Sequence, residues 1–326
     1  LIGALAGDAL TDADKNVAVG QRALGGDTLG SKSTAIGTDA LKVQNFTTAT
    51  DSFNTAVGFE TGQSITTGDS NTLIGALAGD ALTVGNSNVA MGLNSLGSDT
   101  KGDRSVAIGM AALTAQNFTT TTDTYNTAVG YTAGAAITTG VENTLIGGLA
   151  GDALLTGNYN TAVGKSAGGA LTTGIENVFV GVIAGDALTD ADYNVAMGSN
   201  SLTTDTLGSK STAIGAYTLA TQNFTTATET WNVAVGYNAG NDITTGVENT
   251  LVGAFAGDAL TDADRNTALG LGALGSDTMG SQSTAIGYAA LNAQNYTTAT
   301  NTRNTAVGYN AGTAVTTGTD YIAAND

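Results

Sequence analysis

Carboxylates are the only abundant reactive side chains in this sequence. Asp and Glu number 28 against 10 Lys and Arg, a net charge of −18, and Cys, His and Pro do not occur among the 326 residues. Their absence removes thiolate nucleophiles, imidazole bases, disulfides and zinc or haem ligation through Cys or His. Two chemistries stay open to carboxylates: paired acid/base work on a glycosidic bond, and coordination of a hard cation. The acids recur as a pattern. Asp8, Asp12, Asp14 and Asn16 return as Asp186, Asp190, Asp192, Asn194 and as Asp258, Asp262, Asp264, Asn266. D-x-D-x-N has the opening spacing of a calcium loop, so Asp12, Asp14, Asp190, Asp192, Asp262 and Asp264 are the candidate Ca2+ ligands. The central Gly and closing bidentate Glu of such a loop are missing. Two sister segments carry Gly-Asn at the same place (Gly85-Asn86, Gly157-Asn158), which points to turn chemistry shared by Asp and Asn. No acidic cluster stands outside the repetition, and active sites tend to break local rules. The sequence therefore predicts no enzyme, no catalytic residue and no obligatory cofactor.

A second group of residues suits recognition rather than catalysis. Four Q-N-[FY]-T-T-x-T segments, at 44–50, 116–122, 222–228 and 294–300, each carry an aromatic: Phe46, Phe118, Phe224 and Tyr296. Three of the units that contain them end on another, Phe53, Tyr125 or Trp231, and Arg303 takes that place in the fourth. Exposed rings beside Asn, Gln and Thr suit a glycan or protein receptor, and these seven aromatics are the candidate binding-loop residues. The same segments hold four N-x-T sequons, at Asn45, Asn117, Asn223 and Asn295. The stretch G-G-D-T-L-G-S-K-S at 25–33 approximates a phosphate loop, but Lys32 falls one residue late and the copy at 280–283 has no Lys; Gly there is read as a coil corner. The strong negative charge argues against nucleic acid and anionic membranes as partners. The longest apolar stretch, around 178–184, is too short to span a bilayer as a helix. The chain opens on LIG, the tail of its own repeat, without Met or a secretory signal, and reads as a segment of a longer polypeptide.

The elements that position these residues follow from self-similarity. A pentad N-[TV]-[AL]-[VIM]-G, with a few substitutions, ends on seventeen glycines from Gly20 to Gly308, and Gly3 closes a partial copy. Spacings are 17, with four of 21 ending at Gly58, Gly130, Gly236 and Gly308. Four units make a 72-residue super-repeat, in blocks 4–75, 76–147, a shortened 148–181, 182–253 and 254–325 of one continuous repeat domain. Whole units lost in phase are what a one-dimensional stack tolerates. Alternation with β-branched residues predicts a short strand in each pentad. A strand every 17 residues predicts an all-β, parallel β-solenoid of 17- and 21-residue coils, rungs ~4.8 Å apart and about 85 Å in all.

Within the pentad, position 1 is Asn in thirteen units and Ser in four, which predicts a stacked polar ladder along the axis. Gly at position 5 predicts positive φ or close backbone approach. Positions 2 and 4 are the larger residues and are read as facing inward, with the Thr at eleven of the position-2 sites hydrogen-bonded rung to rung. Ile65, Ile137, Leu171, Ile243, Val315 and Leu82, Leu154, Leu188, Leu260 supply a second inward site. Position 3, usually Ala, is then left outward as a flat surface for a neighbouring chain. The four large residues there, Leu73, Leu145, Phe179 and Leu251, become the candidate oligomer interface.

Ser105-Val106-Ala107-Ile108-Gly109, followed by Met110-Ala111-Ala112, resembles the S-V-A-I-G-x-x-[AS] motif of the YadA-like head of trimeric autotransporter adhesins. The N-T-A-V-G-Y-N-A-G and S-T-A-I-G variants are similar to tandem repeats of phage tail fibres. The likeness covers nearly the whole chain. It implies a left-handed β-roll, a homotrimer about a threefold axis, and an extracellular location on a cell surface or virion. The implied role is attachment to a host or surface. A tail-fibre shaft and a self-assembling filament with no ligand are the alternatives. The coils here are longer than the family's, Thr often replaces the first Val, and no neck, stalk or membrane barrel is present.

Overall fold

The computed structural model describes residues 1–324; Asn325 and Asp326, the end of the 254–325 block and of the degenerate last unit, lie outside the described residues. All regular structure among the described residues is β-strand. The chain divides into two compact units, Leu1–Asn160 and Thr161–Asp326, and the division falls inside the shortened 148–181 block. Each unit is a parallel β-solenoid. The predicted strands are present at every pentad, from Val17–Val19 to Thr144–Ile146 in the first unit and from Thr161–Val163 to Thr305–Val307 in the second, where Ile322–Ala324 adds a last rung. Neighbouring rungs pair in register, for example Thr55, Ala56 and Val57 with Thr72, Leu73 and Ile74, and Thr212, Ala213 and Ile214 with Val233, Ala234 and Val235. The four 21-residue coils add a short second pairing each, such as Gly30–Ser31 with Thr50–Asp51.

The direction of the alternation is the reverse of the one expected. In all seventeen complete pentads the middle residue is buried and both flanking residues are partly or fully exposed. Ala18, Ala35, Ala56 and their counterparts point into the coil, and the Thr or Val at position 2 and the aliphatic at position 4 point out. The outward Thr hydroxyls therefore form no buried ladder. The coil interior is too narrow for two branched side chains per strand; Ala fills it. Leu73, Leu145, Phe179 and Leu251, read as interface residues, are at most 1 % exposed and belong to the core. Their space comes from glycine. A Cβ on Gly62 or Gly79 would stand 2.8 and 3.0 Å from the Leu73 side chain, and one on Gly168 or Gly185 would stand 2.7 and 2.6 Å from the Phe179 ring. A large side chain thus lies between two coils that give up theirs.

Those glycines belong to a rule. Four residues after each pentad Gly stands Gly or Leu, and three residues further stands its complement. Gly62, Gly134 and Gly240 are followed by Ile65, Ile137 and Ile243; Leu24, Leu96 and Leu202 are followed by Asp27, Asp99 and Asp205. The second inward site is accordingly buried wherever it follows Gly, apart from partly exposed Leu10 and Val315 near the two chain ends.

Backbone strain recurs at fixed corners. The second and fourth residues after the pentad Gly and the last residue of each coil have φ near +55°, whatever the side chain: Asp39, Leu41 and Phe53 are 60°, 50° and 49°. Left-handed backbone costs a non-Gly residue ~1–2 kcal/mol, so an isolated coil is unfavourable. Neighbouring coils offset the cost, since the amide of Asp39 donates to Gln21 O below and that of Leu41 to Thr61 O above. The pentad Gly is forced by approach as well as by φ: at Gly37, with φ 134°, a Cβ would stand 2.1 Å from Gly58 O.

The predicted position-1 ladder is present. Asn71 donates from its backbone to Asn54 Oδ1 (2.9 Å) and from Nδ2 to Gly85 O (2.9 Å), and Asn88 N donates to Asn71 Oδ1 (2.9 Å). Where Ser interrupts the column a Gln repairs it. Gln44 Nε2 donates to Ser33 Oγ (3.1 Å), and Gln44 Oε1 accepts from Asn54 Nδ2 (2.8 Å). The same bonds recur at Gln116, Gln222 and Gln294.

Candidate interaction surfaces

Three regions bear on function: the outward strand face, the corners of the 21-residue coils, and the acidic turns. The strand face is built by the inverted alternation. Every pentad contributes Thr or Val at position 2 and Val, Ile, Met or Leu at position 4, and none of these 34 positions carries a charge in a chain of net charge −18. In the first unit Ile36, Ile74, Met91 and Ile146 are 36–39 % exposed; in the second, Met197, Ile214, Leu269 and Val307 are 37–46 % exposed. The residue after each pentad Gly often extends the apolar surface: Phe59, Leu93, Met110 and Tyr131, then Val182, Tyr237, Leu271, Tyr288 and Tyr309. Tyr288 and Tyr309 stack at 5.0 Å, and Tyr237 meets Phe255 edge-on at 5.4 Å. Exposed aliphatic and aromatic side chains repeated in this way are unusual on the surface of a soluble monomer.

At the 21-residue coils the candidate aromatics separate into two groups. Phe46, Phe118, Phe224 and Tyr296 are 6–7 % exposed and are not the outward binding residues expected of them. The inserted residues let the ring fold back over a glycine: a Cβ on Gly30 would stand 2.8 Å from Phe46 Cδ2. A buried carboxylate fixes the fold-back. Asp27 Oδ1 accepts from the amides of Gly30 (3.0 Å) and Phe46 (3.1 Å), and Oδ2 accepts from Gln44 Nε2 (2.6 Å). Asp99, Asp205 and Asp277 do the same. The Gly30 amide of the loop resembling a phosphate site is thus already satisfied by Asp27. Burial raises the Tyr296 phenol above its ordinary pKa, and its hydroxyl donates to Gly318 O.

Phe53, Tyr125 and Trp231 are 52–54 % exposed, as expected of a contact surface. Each stands against a cation from the coil below. Lys32 Nζ is 5.0 Å from the Phe53 centroid, Arg104 Cζ 5.7 Å from Tyr125, and Lys210 Nζ 4.5 Å from Trp231. An acid completes each group, Asp51 for Lys32, Asp123 for Arg104 and Glu229 for Lys210. In the fourth copy Arg303 pairs with Asp320 instead. Sequence reasoning missed the cations, although they occupy the same last-of-coil position as the rings and share their left-handed φ.

The acidic turns bond from coil to coil. Asp192 Oδ1 accepts from Ile175 N (2.8 Å) and Asp264 Oδ1 from Val247 N (2.9 Å), while Asp190 and Asp262 accept from the hydroxyls of Thr173 and Thr245. The amide of Asp14 donates to Ser31 Oγ (2.9 Å), and Asp12 is exposed. Asn86 and Asn158 accept the same backbone bond as Asp192, from Asp69 N and Val141 N. Among the described residues no group of three or more Asp or Glu stands close enough to hold a metal ion, and no helix is long and apolar enough to cross a membrane. Comparisons with family models, with curated proteins and with solved structures found no match to this chain.

Proposed function

We propose that this chain is a structural segment of an extracellular fibre on a cell surface or virion, in which three copies associate through the outward strand faces. The observation that carries the reading is the uncharged face of positions 2 and 4, kept through seventeen pentads while charge accumulates elsewhere. Burying apolar area contributes about 25 cal/mol per Å2, and a periodic face meets its own copy in register at every rung. Threefold stoichiometry, left-handed winding and the attachment role come from the resemblance to YadA-like heads. Repetition suits them, because weak contacts made once per super-repeat add by avidity. Sedimentation equilibrium tests the assembly. A species of three times 32.1 kDa is expected, and Ile74→Asp with Ile214→Asp should reduce it to single chains that keep their β circular dichroism. A wild-type chain that stays at 32.1 kDa at high concentration removes the proposal.

A second reading, a ligand-free spacer, is favoured by the three cation–ring groups, which satisfy one another within the chain. Binding of the intact protein to host surfaces, lost on replacing Tyr125 and Trp231 by Ala, separates attachment from spacing.

A further inference from the structure

The third 21-residue coil differs from its sisters in the column of residues that ends each coil. The last-of-coil column reads Lys15, Lys32, Phe53 in the first copy, Ser87, Arg104, Tyr125 in the second, and Arg265, Gln282, Arg303 in the fourth. In the third it reads Tyr193, Lys210, Trp231, with a ring on both sides of the cation. Here a cavity of about 550 Å3 opens, bounded by Tyr193, Lys210 and Trp231 with Thr212 and Val233 beside them. A second cavity of about 340 Å3 shares Tyr193 and Lys210 and adds Asp192, Thr228 and Glu229. The cation–ring contact is common to three of the four copies; the two-ring cleft occurs in the third alone, and exceptions to a local rule are where function concentrates.

We propose that this cleft binds a neutral oligosaccharide, one pyranose against Trp231 and the chain running across Lys210 toward Tyr193. The inference deepens the attachment half of the proposed function and rests on it; Thr212 and Val233 belong to the strand face, so the site requires that contact between copies leave this edge open. Three features select the ligand class. Both rings are about half exposed, Tyr193 at 46 % and Trp231 at 52 %, and offer apolar faces to the C–H faces of a sugar. Lys210 pairs with Glu229, and Asp192 stands in the adjoining cavity, so two carboxylates against one ammonium leave no net positive charge to favour a phosphate, sulfate or carboxylate. Carboxylates and hydroxyls of the adjoining cavity supply acceptors and donors for sugar hydroxyls, the mixture of apolar wall and few polar groups that small-ligand sites share.

Trp231 is the only tryptophan of the chain, so its emission reports on this cleft alone. The experiment titrates the intact protein with maltohexaose, cellohexaose, chitohexaose and mannohexaose, with hexagalacturonate as the charged control. A saturable change with at least one neutral hexasaccharide is expected, with none for the galacturonate. Tyr193→Ala should weaken the apparent affinity about tenfold and Tyr125→Ala should leave it unchanged. The proposal is overturned by no saturable response to any of the four, by a tighter response to hexagalacturonate, or by full affinity in Tyr193→Ala. Acrylamide quenching of the native assembly separates this inference from the reading beneath it. A Trp231 shielded there overturns the sugar site and leaves self-association standing, whereas a monomer that binds sugar does the opposite.

Discussion

Coils that begin with Gly four residues past the pentad and coils that place Leu there fill the same narrow interior in opposite ways. In the first kind the core is dry. Leu73 or Phe179 lies between the glycines of two coils, and the second inward positions, Ile65 and Leu82 or Leu171 and Leu188, are apolar and buried. In the second kind Leu41 or Leu219 takes the apolar place. The rest of the interior holds a network, Asp205 to Gln222 to Ser211 and Asn232, every member buried. The backbone hardly registers the change, since both kinds keep the same rung, the same corners and the same ladder. A solenoid coil therefore needs its cross-section filled and its polar atoms paired, and two quite different residue sets meet that demand. The alternation of two dry coils with two wet ones is the 72-residue period.

The comparison can be broken from either side. Phe179→Ala, in the dry interior, should have the largest effect, about 3–5 kcal/mol in chemical unfolding, because flanking glycines cannot move in to close the space. Gln222→Leu, in the wet interior, removes donors to Asp205 and Ser211 and an acceptor from Asn232; about 3 kcal/mol is expected from the unpaired buried groups. The reciprocal Leu188→Gln should cost a similar amount, since no network waits to receive the amide. Equal tolerance of Leu and Gln at both sites would mean that the two interiors are not distinct.

The smallest effect concerns acids at the edge of the dry coils. Desolvation raises Asp80, Asp152 and Asp258 above the ordinary 3.8, with Glu60 adding repulsion at Asp80 and Asp242 at Asp258. The folded chain then holds these protons more tightly than the unfolded chain. Stability from each group is greatest below 3.8, falls as pH rises through the window up to the raised value, and stays lower above it. Asp258→Asn should therefore stabilise the protein at neutral pH and make no difference in strong acid, as read by melting temperature against pH. An unchanged profile removes the desolvation argument.

Much of this was legible in the sequence, and the part that was not has a physical reason. Gly at every fifth pentad position and the 17- and 21-residue spacing announce the rungs, because only Gly fits where successive coils nearly touch. The position-1 ladder followed from Asn in register. Which face points inward did not, because Val, Ile and Thr are larger than Ala and ordinary cores prefer the larger set. The contrary signal was available: eleven Thr at position 2 would have been eleven buried hydroxyls, whereas position 3 is never polar. Likewise the four-residue expansions carry no mark of direction, yet the Gln before each aromatic, at 44, 116, 222 and 294, accompanies a Ser in the Asn column of its own coil. That pairing announces an amide needed inside. The cleft beside Trp231 depends on three corners from three coils and becomes visible only when they are stacked.

The inverted alternation and the shared strand face are tested together by cysteine reactivity at two adjacent residues. The chain has no cysteine, so Leu145→Cys and Ile146→Cys each introduce a single thiol. Both should resist iodoacetamide in the concentrated assembly. On dilution the thiol at 146 should become reactive as copies separate, while the thiol at 145 stays protected until the chain unfolds. Reaction of the 145 thiol at the rate of its neighbour on dilution would contradict the account.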